Sequence, residues 1–173
     1  IARAIASPES SRLMPSFDQQ SLRAAYGCFP SGVMALCALV EGRPVGMAAS
    51  SFSSVSIEPP LVSVCLQSNS TTWQKLRNAV RLGVSVLSDA HAIACRQLAS
   101  KADDRFAGIR WNASAEGVVF IEGSPAWLDC SVFETFGAGD HEIVLLRVES
   151  FETRPEISPL VFHASRFKQL SFS

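Results

Sequence analysis

The segment WLDCSVFETFGAGDHEIVLLRVESF (127–151) decides the fold class. Apolar and polar residues alternate along 127–136 and again along 142–151, which is the period of strands that bury one face. The residues between these runs, GAGDH (137–141), are rich in glycine and typical of a turn. The segment therefore predicts two long antiparallel strands joined as a hairpin.

Further strands are predicted on the N-terminal side of this hairpin. Three extended runs are separated by the turn sequence EGRP (41–44) and by Pro59-Pro60. The runs are VMALCALV (33–40), GMAASSFSSVSI (46–57) and LVSVCLQ (61–67). The third run is too continuously apolar for one face to meet water, which predicts an interior strand.

Short helices and minor strands complete the predicted order of elements. Helices are expected over 17–27 (capped by Asp18 or Ser16), 71–80 and 91–106. Strands are expected over 82–88 and near 160–162. The region 107–125 is expected to be a loop with one short strand (118–123). Strands outweigh helices, and no G-x-G-x-x-G follows a strand. We therefore expect a closed antiparallel barrel rather than a parallel sheet, formed by one domain over 17–173 after a flexible arm at 1–16.

The composition narrows the classes of partner. Lys and Arg number 15 against 16 Asp and Glu, so no positive field favours nucleic acid or an anionic membrane surface. Hydrophobic residues make up 47% of the 173 residues, which is high for a small protein. We therefore expect a second subunit to cover apolar surface, as in a homo-oligomer.

The cysteine pattern indicates a reducing compartment. The five cysteines lie at least nine residues apart, so no local C-x-x-C pair can form. Free thiols fit a cytoplasmic protein. No apolar run approaches the roughly 20 residues that span a bilayer, so we expect no membrane segment.

Three stretches could carry chemistry, and each has an ordinary structural alternative. MAASSFSSVS (47–56) combines small side chains with hydroxyls that suit a phosphate or a polyol chain, or it is a water-facing edge strand. FPSGV (29–33) can offer backbone N–H groups to a ligand, or it is a plain turn into a strand. GAGDHE (137–142) places His141 between two acids, where it could hold a carboxamide, or it is an exposed hairpin histidine.

Metal and nucleophile chemistry has little support in the sequence. No metal-binding triad is visible, no G-x-S-x-G elbow occurs, and no cysteine has a nearby histidine that would mark an activated thiolate. The residues alone thus predict an antiparallel barrel with a small-residue pocket for a phosphorylated ligand.

Four ordered motifs resemble one known family. The chain resembles the short-chain flavin reductases of two-component monooxygenases. The motifs that carry the resemblance are FPSGV (29–33), GMAASSFSSVSIEPPLVSVCL (46–66), RFAGIRW (105–111) and GDHEIVLLRV (139–148), followed by PLVFHASRFKQL (159–170). The resemblance covers roughly residues 17 to 170. It implies a mainly β fold with short helices, the FMN-binding split β-barrel of antiparallel, Greek-key type, as a homodimer.

The resemblance also implies the positions of the ligands. Ser31, Gly32 and Val33 would lie by the isoalloxazine ring. Ala48, Ala49, Ser50 and Ser51 would line the ring and the ribityl chain, and Ser54, Ser56, Gln67 and Ser70 would face the phosphate. Gly139, Asp140 and His141 would form the nicotinamide site. No catalytic acid or base and no metal is implied, because the protein contributes stacking geometry.

The activity implied is hydride transfer from NADH to FAD, with FMN possible. Reduced flavin would diffuse to a partner monooxygenase that hydroxylates an aromatic substrate, as in reductases serving phenol and chlorophenol hydroxylases. The alternative is a flavin-binding redox carrier or sensor without nicotinamide turnover.

The chain departs from the residues common in the family at four positions: Ala48, Ser31, Ser165 and Phe167. Arg105, Arg110 and Arg166 are candidates to read the 2′-phosphate of NADPH, so the choice of nicotinamide stays open.

Overall fold

A computed structural model describes residues 17–170 of the protein. The arm expected at 1–16 lies outside the described residues. The helices are α1 (Gln19–Gly27), α2 (Thr71–Leu76) and α3 (Ala92–Leu98), with a 3₁₀ turn at Asp89–His91. The strands are β1 (Ser31–Gly32), β2 (Met34–Val40), β3 (Arg43–Ala49), β4 (Ser53–Ser56), β5 (Leu61–Gln67), β6 (Leu82–Val86), β7 (Trp111–Ala113), β8 (Val119–Ile121), β9 (Ala126–Ala138), β10 (His141–Thr153), β11 (Val161–His163) and β12 (Arg166–Lys168). The prediction of a mainly β chain with short helices is confirmed.

One antiparallel sheet contains seven of these strands in the order β3-β2-β6-β9-β10-β5-β4. The predicted hairpin is confirmed: β9 and β10 pair along their length and turn at Gly139 and Asp140. The run 61–67 forms β5 between β10 and β4, so its interior place in the sheet is also confirmed. Its outward Cys65 and Gln67 are nevertheless exposed, contrary to expectation, since alternate residues of a strand face opposite sides.

The sheet curls until its two ends meet. β3 and β5 lie five strand spacings apart, about 24 Å in a flat sheet. Yet Met47 of β3 and Leu66 of β5 belong to one cluster, with Met34 of β2 and Leu146 of β10. We call this cluster the barrel core. Trp73 and Leu76 of α2, both fully buried, also belong to it.

A second cluster, the outer core, covers the other side of β2. It contains Val33, Ala35 and Cys37, packed against Leu98 of α3 and Ile121 of β8. The C-terminal pair β11 and β12 adds Phe162 and Phe167 at its margin. The segment Met34–Ala38 of β2 is at most 1% exposed, because its alternate side chains enter the two cores.

Several predicted boundaries are wrong for identifiable reasons. The run 46–57 forms two strands instead of one, because the chain crosses at 50–52 from the β3 edge of the sheet to the β4 edge. The helix expected over 91–106 ends at Leu98. Beyond it, the Ser100 hydroxyl bonds the backbone at Gln97 and Ala102, and the Asp104 carboxylate accepts from Phe106 N, so side chains replace helical bonds.

Other elements are shorter or more numerous than expected. The helix predicted over 71–80 ends at Leu76: Arg77 N makes the last helical bond, to Trp73 O, and Ala79 N then makes a turn bond to Leu76 O. The strand predicted over 82–88 ends at Val86. The region 107–125 holds two paired strands, β7 and β8, instead of one. These differences lie in connections, where periodicity gives the weakest signal.

Glycine in β6 permits the closest packing between the sheet and the outer core. A Cβ atom built on Gly83 would lie 2.1 Å from the carbonyl oxygen of Val119 in β8. No real Cβ contact is that short, so a side chain at Gly83 would push β8 away from β6.

We expect Gly83→Ala to lower the free energy of unfolding by about 1–3 kcal/mol, the usual cost of an overpacked core. Gly137→Ala in β9 is the matched control, because a Cβ there meets no atom within 4 Å. Urea unfolding followed by tryptophan fluorescence measures both. Equal stability of Gly83→Ala and the wild type would contradict this account of the packing.

Candidate functional site

Three neighbouring cavities meet at Ala48 of β3. The C-terminal cavity (about 590 Å³) is bounded by α3 and β12, the central cavity (about 330 Å³) by β3 and β5, and the basic cavity (about 620 Å³) by α2 and the loop after α3. Ala48 lines all three. Because the three cavities share wall residues, they adjoin one another, and together we call them the Ala48 groove.

The C-terminal cavity has an apolar floor. Val33, Ala48 and Ala49 lie on one side, and Phe162 and Phe167 on the other. The two phenylalanine rings pack against each other with centroids 5.6 Å apart. β1 supports this wall, since Ser31 and Gly32 pair with β11. A flat aromatic group fits such surroundings.

The central cavity lies at the seam where the curled sheet meets itself. Ser51, just after β3, donates its hydroxyl to the Cys65 carbonyl and accepts from the Cys65 N–H, each at 2.9 Å. A side chain thus replaces a backbone partner at the sheet edge. Gln67 and Ser70 line the same cavity from β5 and the following turn. The Ser51 hydroxyl is therefore committed to the fold.

The β9–β10 hairpin brings His141 to the central cavity. Gly139 permits the tight turn, because its φ of 67° is costly for a residue with a side chain. His141 Nδ1 lies 2.7 Å from Asp140 Oδ1, and this hydrogen bond holds the pKa of the exposed Asp140 carboxyl below its usual range. An Nδ1–H directed at Asp140 leaves Nε2 to accept a hydrogen bond from a ligand.

The basic cavity collects hydroxyl and cationic groups. Ser70 caps α2 by accepting from Trp73 N at 3.2 Å, and Thr72 lies in the first turn of α2. Lys101 and Arg105 approach from the loop after α3. Arg105 Nη1 donates to Thr72 Oγ1 at 2.8 Å, which fixes the guanidinium beside the helix. Such a cavity suits a phosphate.

A part-buried contact links helix α2, beside the basic cavity, to the strand that carries His141. Trp73 Nε1 of α2 donates to Glu142 Oε2 of β10 at 2.8 Å, and Glu142 Oε1 lies 3.5 Å from Arg77 Nη1. Because Glu142 follows His141 directly, the position of α2 is coupled to the histidine strand.

The structure brings together most of the residues that the sequence singled out. Those lining the Ala48 groove are Val33, Ala48, Ala49, Ser50, Ser51, Gln67, Ser70 and His141. Ser31, Gly32, Gly139 and Asp140 do not line it, although they support the residues that do. Ser54 and Ser56 lie on β4, paired with Val62 and Leu61, and line none of the three cavities. The ligand roles of all these residues stay predictions.

Sequence reasoning missed the cationic residues of the groove. Lys101 and Arg96 received no role, and Arg105 was considered only as a reader of a 2′-phosphate. Their signal was weak because they are distant in sequence from the serine-rich run that they face. Arg110 was also a candidate for 2′-phosphate recognition, but it lines none of the three cavities. Its Nε lies 3.9 Å from Glu122 Oε2.

Thiol and metal chemistry find no support in the described residues. Burial raises the pKa of Cys37 to about 12 and that of Cys130 to about 12, so both stay thiols at neutral pH. Within residues 17–170, no three His, Cys, Asp or Glu side chains converge as a metal site. No helix in this part of the chain is long and apolar enough to cross a membrane.

Known proteins share both the sequence pattern and the fold. A flavin reductase from Pseudomonas putida is 40% identical over 149 residues, which cover 86% of this chain and 88% of the relative. The reductase subunit of a flavin-dependent monooxygenase from Mycobacterium tuberculosis is 37% identical over 142 residues, covering 82% and 76%. An NADH:FAD oxidoreductase from Streptomyces globisporus, solved with NAD and FAD fragments, superposes with a TM-score of 0.84 at 33% identity, covering 89% and 93%.

The family assignment agrees with the geometry of the groove. Residues 26–171 match the family described as the flavin reductase like domain, a span that includes β1, the Ala48 groove and the histidine hairpin. The chain therefore belongs to the flavin reductase family.

Proposed function

We propose that the protein oxidises NADH, reduces FAD or FMN, and releases the reduced flavin to a partner monooxygenase that hydroxylates an aromatic substrate. The observation that carries this proposal is the Ala48 groove, whose adjoining cavities have an aromatic floor in one, cationic groups in another and His141 in the central one. The relative from M. tuberculosis, named as the reductase subunit of a monooxygenase, supports the partner.

The groove fits a flavin in shape and in chemistry. An isoalloxazine ring needs a flat apolar slot, which Val33, Ala48 and Phe167 form in the C-terminal cavity. A flavin phosphate needs hydroxyl and cationic donors, which Lys101 and Arg105 supply in the basic cavity. A bound flavin supplies N5 as the acceptor for the hydride of the nicotinamide.

The chain contributes position and exclusion of water. The methyl group at Ala48 leaves room for a ring against β3, where a larger side chain would project into the space at which the three cavities adjoin. His141, oriented by Asp140, would hold the carboxamide of the nicotinamide at the central cavity. No side chain needs to exchange a proton with the reacting carbon, so geometry supplies the rate enhancement.

Exposed apolar residues support a homodimer. Phe133 and Phe136 of β9 are 46% and 45% exposed, and Ile143 and Leu145 of β10 are half-buried. Register places Phe136, Ile143 and Cys65 in one row across β9, β10 and β5. We call this outward surface of β9, β10 and β5 the open face. A second copy related by a twofold axis would cover it and would lie beside His141.

Free thiols support a reducing, cytoplasmic setting. All five cysteines are unpaired, and Cys28 and Cys65 are exposed. The alternative, a carrier or sensor that binds flavin without turning over nicotinamide, would leave the hairpin histidine without a ligand. An assay of NADH oxidation distinguishes the reductase from the carrier or sensor.

The first experiment measures NADH and NADPH oxidation at 340 nm without flavin, with FMN and with FAD. We expect loss of absorbance only when flavin is present, faster with FAD and NADH. Ala48→Phe should abolish it because the ring fills the groove, whereas Ala113→Phe on exposed β7 should not. A flat wild-type trace with tightly bound yellow flavin would favour the carrier or sensor instead.

His141→Ala should raise KM for NADH by about tenfold while the Kd for flavin stays unchanged, because one hydrogen bond to the carboxamide is lost. Steady-state kinetics and a flavin fluorescence titration measure the two quantities. The control is His163→Ala, since His163 of β11 lines none of the three cavities. Unchanged KM and turnover for NADH in His141→Ala would remove His141 from the site.

Leu145→Arg should convert a dimer into a monomer, because it places a charge at the centre of the open face. Ile93→Arg is the matched control: Ile93 is 76% exposed on α3, which packs on the outer core and not on the open face. Sedimentation velocity measures both variants and the wild type. A monomeric wild type, or a Leu145→Arg variant that stays dimeric, would contradict the assignment of this face.

A further inference from the structure

The C-terminal cavity carries positive charge that the proposed flavin ring does not use. Arg96 of α3 and Arg166 of β12 both line it, although the chain separates them by 70 positions. No acidic residue is among the described residues that line this cavity. The cavity therefore combines an apolar floor with a cationic rim.

Neither guanidinium is neutralised by the part of the chain that the structure describes. Within residues 17–170, ion pairs form at Arg77, Arg81, Arg110 and Arg154, but not at Arg96 or Arg166. Both side chains are exposed, so each is hydrated and available to an anion. A charge at the rim of a concave apolar cavity favours an anionic ligand more than an isolated surface charge does.

Arg96 is also held in place. Its guanidinium carbon lies 5.2 Å from the centroid of the Phe167 ring, which is a cation–π geometry. Phe167 belongs to the same cavity wall and packs on Phe162. An ordered guanidinium loses less freedom when it binds an oxyanion, which favours bidentate contact with a phosphate.

The cavity lies within reach of a ligand held at His141. The C-terminal and central cavities share Ala48, Ala49 and Ser50, and His141 lines the central cavity. The basic cavity, which suits the phosphate nearest the flavin ribityl chain, lies beyond Ala48 on the other side. A second anionic group of the reactants would thus meet a separate cationic site.

We propose that Arg96 and Arg166 form a binding site for the diphosphate of the nicotinamide dinucleotide, because the FAD diphosphate includes the ribityl phosphate that the basic cavity would hold. This inference rests on the proposed function and adds to it a second anion site, distinct from the basic cavity. The site selects dinucleotides over reactants without a diphosphate, because guanidinium groups bind phosphate oxygens through charge-assisted hydrogen bonds.

The test measures binding of unreactive ligands to the full chain by calorimetry. In one arm NAD⁺ is titrated at saturating riboflavin, so that NAD⁺ is the only ligand with a diphosphate. In the other arm FAD is titrated alone. Arg96→Gln and Arg166→Gln should each raise Kd about tenfold in the NAD⁺ arm and leave Kd for FAD unchanged, and an increase confined to the FAD arm would overturn the proposal. Higher salt should shrink the difference from wild type.

Two controls separate the diphosphate from general damage. Riboflavin has no phosphate, so its Kd should stay unchanged in both variants. Arg43→Gln removes an equal charge from an exposed residue of β3 that lines none of the three cavities, and both arms should match the wild type. Weaker riboflavin binding, or wild-type Kd values in both arms, would overturn the proposal.

The outcomes also separate this proposal from the proposed function. A wild-type protein that fails to oxidise NADH with flavin refutes the reductase assignment whatever the arginine variants bind. A wild-type protein that oxidises NADH, with Arg96→Gln and Arg166→Gln binding NAD⁺ and FAD normally, refutes the diphosphate site alone.

Discussion

The burial of β2 on both faces is the constraint on which the rest of the structure depends. Side chains of Met34–Ala38 alternate between the barrel core and the outer core, so the sheet must curl on one side and be covered on the other. Two glycines permit the close packing around β2. A Cβ atom on Gly83 would lie 2.1 Å from Val119 O, and one on Gly46 would lie 2.5 Å from Cys37 Sγ. Two cores sharing one strand make the fold cooperative, since loosening either exposes β2.

The groove is a consequence of the same curling. Where β3 approaches β5, the chain has to cross from one edge of the sheet to the other, and Ser51 satisfies the Cys65 backbone at the crossing. Small residues at this seam leave space between α2 and α3, each of which packs on its own core. The chemistry then divides by position: the C-terminal cavity has aromatic groups with a cationic rim, and the basic cavity has hydroxyls with Lys101 and Arg105.

Two parts of the outward surface of the sheet differ in how far they are covered by the rest of the chain. The side over β2 is covered by α3 and β8, whereas the open face of β9, β10 and β5 keeps Phe133 and Phe136 nearly half exposed. In the proposed homodimer, a second copy would cover this open face. Since that face ends at His141, assembly and ligand binding would be coupled through β10.

The sequence by itself determined the antiparallel hairpin, the strand run of β2 and the small-residue segment containing Ala48, because alternation and turn residues are local signals. It also indicated His141, since a glycine turn beside a histidine is visible in six residues. Only the tertiary structure decided that the Ala48 groove is also lined by Arg96, Lys101, Arg105 and Arg166, and that Ser54 and Ser56 line none of its three cavities. The reason is physical: closing the sheet and packing α3 on β2 join residues far apart in the chain, and local periodicity carries no record of those contacts.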